Sequence, residues 1–286
     1  MRTEFERMLS VLGATERYSI CLASEELKVH QTHLYDPKLH ENLFLAKAIT
    51  ALLRSQFHCV IVGDERRMVT KIFNTLSLFV PDESRWCSLK GCKHVYSPYL
   101  RLQIINRSEL PLVITAGVES HWPIAVIDVD KQLVCISSNY LKHRKIKQLR
   151  QRNDVAAILL SAGMDVEMAD PRQNKLELRK CRASGLVVDF LGKMDFLPYE
   201  RNARIGFIRQ FLLSVENRAR AFITYVRDAS QPNLTDKSSA VSCKWNLNAA
   251  RRALDLTSES LFSIILAEAE RLKAGIADFI CDTRTH

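Results

Sequence analysis

Glycine is scarce in this chain, nine in 286 residues, and nowhere do the glycines group into a phosphate-cradling loop of the P-loop or dinucleotide kind. That argues against a GTPase or kinase that grips nucleotide phosphates by itself. No apolar run approaches the roughly 18–20 residues of a membrane-spanning helix. The amino terminus carries Glu4 and Glu6 and no apolar signal segment, so the expectation is a soluble intracellular protein. The eight cysteines are scattered. Only Cys87 and Cys92 fall close together, with no second pair to complete a zinc site, and free thiols in a reducing compartment are expected. Asn106-Arg107-Ser108 and Asn233-Leu234-Thr235 match the glycosylation pattern but, without secretion, are expected to stay unmodified.

Catalytic constellations are also missing. No Ser-His-Asp or Cys-His set can be assembled, and His58 and Cys59, adjacent on a strand, point to opposite faces. His30, His33 and His40 lack a cysteine or carboxylate to complete a metal site and read as loop histidines. Asp128 and Asp130 at a strand end suit a metal or an acid–base pair, yet Asp-x-Asp there is at least as often turn chemistry, which is the reading adopted. The sequence assigns no catalytic residue, cofactor or metal.

What is present is a chain with 47% hydrophobic residues, long enough for one large domain or two small ones. Residues 57–62 are an almost wholly apolar run of β-formers, as in a strand buried on both faces. Gly63-Asp64 makes the turn. With Asp64 as N-cap, Met68, Val69, Ile72, Phe73, Leu76 and Phe79 recur at helical spacing until Pro81. Residues 41–55 repeat the helical pattern upstream. After a loop over 81–98, short β-rich runs at 102–105, 112–116, 124–129 and 133–136 predict a meander joined to the first strand.

From Asn139 on, nearly every periodic segment is helical, with helices predicted over 176–196, 203–227 and 258–274, the last ending in a Schellman turn at Gly275. Residues 228–242 read as an exposed loop. The fold class is therefore α/β followed by all-α, divided as 1–40 (a divergent segment), 41–138 (the α/β part) and 139–286 (the helical part).

The net charge of +9 points to an acidic partner, whether nucleic acid, anionic lipid or an acidic protein face. The densest run is 142–152. On a helix its Ile146 and Leu149 would face inward, leaving Arg144, Lys145 and Lys147 as candidate contacts. A solvated face is the default, because no aromatics interleave and no nucleic-acid motif is present. The run also has the look of a nuclear-import address, with no second feature to support it.

Several blocks occur in a telling order: 43–79 with its Val-Ile-Val-Gly turn, Ile127 to Asp130, Phe211 to Leu213 continuing to 225–228, and 254–257 through 266–268 to Phe279-Ile280. In order and spacing this set resembles the chromosome nine open reading frame seventy-two protein family, a DENN-like family associated with amyotrophic lateral sclerosis. The resemblance implies a DENN module, with a small central sheet flanked by helices and a helical subdomain after it. It implies guanine-nucleotide exchange or another regulatory action on Rab-type small GTPases in autophagy and endosome–lysosome traffic. The implied complex holds a second DENN protein, the Smith–Magenis-region partner, and a WD-repeat protein, in the cytoplasm with recruitment to those membranes. The family begins with a longin domain, whereas here only residues 1–40, which match it poorly, precede the DENN part. The stripes over 208–226 and 261–272 would carry a DENN–DENN contact with Phe211, Phe222 and Ile265 as anchors. The alternative is that both stripes face the chain's own core.

Overall fold

The computed structural model describes residues 31–90, 95–168, 175–230 and 246–282, together with 6, 9, 10, 12 and 13. His30, Cys92 and the Asn233-Leu234-Thr235 sequence lie outside the described residues, as does most of the loop expected over 228–242.

The organising strand is β1 (Cys59–Val62), buried at all four positions. It is paired in parallel on both sides, with β2 (Leu102–Ile104) and with β3 (Ala125–Asp128). β4 (Leu133–Ser137) and β5 (Leu178–Lys180) extend the sheet antiparallel, giving the order β2-β1-β3-β4-β5. Strand side chains alternate between faces, and the packing follows that period. Cys59, Ile61, Leu102, Ile104, Ala125, Ile127, Val134 and Ile136 join one core, while Val60, Val62 and Val126 join another. A strand central in a parallel pairing and covered on both faces has no polar side to show, hence its unbroken apolar run.

Helices α1 (Leu43–Arg54) and α2 (Arg66–Ser77) cover the first face. Asn42 caps α1 by accepting the Leu45 N–H at 3.0 Å. The N-cap of α2 is Glu65 rather than Asp64, and it makes no side-chain cap bond. The Asp64 N–H instead donates to the Asp130 carboxylate at 2.9 Å, which ties the turn to β3.

Two elements differ from expectation. Residues 112–116 are not a strand but part of helix α3 (Leu110–Ala116). Val113, Ile114 and Thr115 favour strands, but Pro111 sits in the first helical turn, where its missing N–H costs nothing and its φ suits a helix. The sheet is accordingly no simple meander, because α3 lies between β2 and β3. The helix expected over 176–196 breaks into β5 and α5 (Gly185–Asp195). Pairing of 178–180 with β4 outweighs their helical spacing.

The second face is covered by α3 through Val113, by α4 (Tyr140–Ser161) through Ile146, and by Val118 and Leu176 from the segments after α3 and before β5. Ile146 faces inward as expected and Leu149 is half-buried. α6 (Arg201–Ser230), α7 (Leu247–Ala253), α8 (Glu259–Leu272) and α9 (Ile276–Asp282) complete the first layer. Gly275 at φ +91° adopts the left-handed conformation that glycine tolerates best. The chain reversal there is made by the buried Glu270 carboxylate, which accepts the N–H groups of Gly275 and Ala277, each at 2.8 Å. It is not the all-backbone Schellman closure expected from sequence.

Candidate functional site

In an open α/β sheet the carboxyl ends of the parallel strands, where the chain departs to opposite sides, are the usual place for ligands. Here that edge is formed by the turn after β1, the segment after β2 and the end of β3. Gly63 is required for their close approach: a Cβ there would lie 2.5 Å from Val69 Cγ2 and 3.2 Å from Asp130 Oδ1. From the segment after β2, Arg107 reaches across to β3. Its guanidinium donates to Asp128 Oδ2 at 2.5 Å and Oδ1 at 3.0 Å, and to Asp130 Oδ2 at 2.5 Å, with Asp64 4.0 Å away. Asp128 also accepts the Lys131 N–H at 3.1 Å.

Burial opposes ionisation of Asp128, but the Arg107 guanidinium and the Lys131 N–H outweigh it and hold the carboxyl below the usual carboxylate range. Arg107 is correspondingly held more firmly in its charged form, chiefly by its hydrogen bonds to Asp128 and Asp130. One guanidinium gripping both carboxylates clamps three strand ends together. The turn-chemistry reading of Asp128 and Asp130 is the one their geometry fits. Sequence reasoning missed Arg107, which was noticed only inside a glycosylation pattern. Its position just beyond a parallel strand was the usable signal.

His58 is buried. Its Nδ1 lies 3.1 Å from the Ser55 carbonyl and its Nε2 lies 3.3 Å from Arg101 Nη1. Arg101 Nη1 also lies 3.2 Å from Nδ1, so the guanidinium sits beside both ring nitrogens, and the Ser55 carbonyl fits a neutral ring that donates from Nδ1. Burial first, then the Arg101 charge, pushes it down to about 3. His33 is also buried, with Nδ1 2.6 Å from Asp36. Among the described residues, no group of three or more His, Cys, Asp and Glu side chains is arranged to hold a metal.

The six candidate contact residues separate into two groups. Phe211, Phe222 and Ile265 all lie in the chain's own core. Phe211 packs on Phe190 with ring centroids 4.3 Å apart, and Phe222 meets Phe262 edge-on at 5.9 Å. On α4, Arg144 is committed to Asp278 at 3.2 Å and Asp282 at 2.8 Å, and Lys147 donates to the Glu119 and Ser120 carbonyls. Lys142 and Arg150 are paired with Glu177 and Glu119. Lys145 and Arg152 are exposed, with no ion partner among the described residues. Internal pairing has thus spent much of the charge that made this run conspicuous.

A cleft of about 300 Å³ lies between the end of α2, α6 and α8. Leu78, Val80 and Leu212 supply apolar lining, and the Glu83–Arg271–Glu268 ion pairs border it. Among the described residues, no helix is long and apolar enough to cross a membrane.

Residues 2–143 match the C9orf72-like protein family. The match begins at residue 2 and so takes in the first forty residues, which the ordered sequence blocks left out. The chain is 26% identical over 294 aligned residues to the human guanine nucleotide exchange factor C9orf72, and equally so to its rat and mouse homologues. The alignment covers 96% of this chain, which spans 58% of the length of the curated relatives it matches. The resemblance drawn from the sequence blocks is borne out.

Proposed function

We propose that this chain is a DENN-type regulatory subunit that binds a Rab-family small GTPase and promotes release of its guanine nucleotide. The observation that carries the reading is similarity along nearly the whole chain to proteins named guanine nucleotide exchange factors. Exchange needs no bond-making residue. A factor that binds the nucleotide-free GTPase better than the loaded form shifts the population toward the empty state, and the nucleotide leaves faster. A rigid sheet clamped at its carboxyl edge and covered by helices on both faces is a scaffold suited to such surface recognition.

In this reading the working form is a complex with a second DENN protein, the Smith–Magenis-region partner, and a WD-repeat protein. It acts in autophagy and endosome–lysosome traffic, from the cytoplasm and on recruitment to those membranes. The alternative, a nucleic-acid or anionic-lipid binder using residues 142–152, is less favoured because Lys142, Arg144 and Arg150 are already paired.

The test is release of a fluorescent guanosine diphosphate from a panel of Rab GTPases, with the chain alone and with the second DENN protein. Faster release from at least one Rab is expected, together with capture of that Rab in its nucleotide-free form. Unchanged release across the panel and no capture would overturn the proposal.

A further inference from the structure

The last two turns of α4 are apolar on the side that faces solvent. On a helix at 100° per residue, the buried positions His143, Ile146, Asn153 and Ala156 define an inner face. Opposite lie Arg144, Gln148 and Gln151, and beyond them Val155, Ile158, Leu159 and Ala162. Val155 is 56% exposed and Ile158 67%, Leu159 is half-buried, and Met164 just past the helix is 56% exposed. This end is well formed. Gly163 at φ +82° closes it, its N–H donating to the Leu160 carbonyl at 3.0 Å and the Met164 N–H to the Leu159 carbonyl at 3.1 Å. An ordered helix end with this much uncovered apolar side chain is a contact face.

We propose that the face packs against its counterpart in a second copy of this chain, antiparallel, about a two-fold axis between Ile158 and Leu159. The positions i, i+3, i+4 and i+7 occupied by Val155, Ile158, Leu159 and Ala162 make the narrow seam along which two helices mesh. In an antiparallel pair Ile158 meets Leu159 and Val155 meets Ala162, so the seam complements itself, as an isologous contact must.

The flanking charges select this arrangement. Arg152 lies before the seam and Asp165 and Glu167 beyond it, all exposed and without an ion partner among the described residues. The two-fold axis brings Arg152 of each copy beside the segment bearing the other's Asp165. A parallel pair would set arginine against arginine. An anionic membrane would be repelled by Asp154, Asp165 and Glu167, which border the same seam. The seam is short, so the association is weak, on the scale of small transient interfaces.

Sedimentation of the full chain over a micromolar to submillimolar series tests this. A monomer–dimer equilibrium is expected, weakened at least about tenfold by Ile158→Glu. Because Ile158 is exposed, thermal melting of that variant is expected to stay unchanged. Arg152→Asp and Asp165→Arg should each weaken the dimer, and the double variant should restore it. A chain that stays monomeric throughout, or a dimer indifferent to Ile158→Glu, overturns the proposal. So does binding to phosphatidylserine vesicles that Ile158→Glu abolishes while the chain remains monomeric.

Discussion

On α6, Phe211, Val215, Ala219, Phe222 and Val226 recur at helical spacing and all are buried. On α4, Val155, Ile158 and Leu159 recur at the same spacing, and Val155 and Ile158 stand mostly in solvent. The α6 stripe meets α8 and the Phe79–Phe190–Phe211 cluster of rings. The α4 stripe lies on the face away from the sheet. Periodicity tells that a helix has a sticky side, and only its neighbours tell whether that side is already satisfied. The surface expected to bind a partner is therefore internal, and the uncovered one lies on a helix noticed for its charge.

The sharpest test of the contrast is the same substitution on both stripes. Phe222→Glu places a carboxylate where no solvent reaches, and a loss of at least about 4 kcal/mol is expected, enough to lower the melting temperature by about 10 °C or to prevent folding. Ile158→Glu is expected to leave melting within about 0.5 kcal/mol of the parent. Equal losses in the two variants would break the comparison. Val60→Asp, in the doubly buried strand, belongs with Phe222→Glu at roughly 3 kcal/mol or more.

A second test separates the core from the surface by pH. His58 is pushed down to about 3 in the fold, below its unfolded value of about 6.5. The unfolded chain thus binds the proton more readily, and the neutral ring's contribution is complete above about pH 6.5 and is lost as pH falls toward 3. One such group adds a slope of at most about 1.4 kcal/mol per pH unit. Melting temperature should fall between pH 7 and pH 5, and His58→Asn should flatten the fall. An unchanged slope would show that the ring titrates alike in both states.

The edge clamp acts lower. The Asp128 carboxyl is held below its usual range in the fold, so its contribution is present above about pH 4 and lost on acidification through the folded value. Asp128→Asn should lower stability at neutral pH and narrow its gap to the parent in acid; a gap constant with pH would mean that the charge contributes nothing. Smallest is the effect within the basic run. Arg144→Glu should cost about 1 kcal/mol through its pairs with Asp278 and Asp282, and Lys145→Glu less than about 0.5 kcal/mol. Equal melting of the two would remove the distinction between paired and free cations.

The chain's order of residues by itself determined α1, β1, its following helix, β2, the β3–β4 pair, and α6 and α8. Each of these depends on contacts whose apolar period is written locally: two for a strand, near four for a helix, none for a strand covered on both faces. Tertiary structure decided the rest. Val113-Ile114-Thr115 became helical because Pro111 starts a helix, and 178–180 became a strand because β4 offers an open edge. Arg107 acquired its role only when β2 and β3 were brought to either side of β1, since its partners lie more than twenty residues away. Which stripe is core and which is surface was settled the same way: burial belongs to pairs of elements, and a single segment of sequence specifies only one member of each pair.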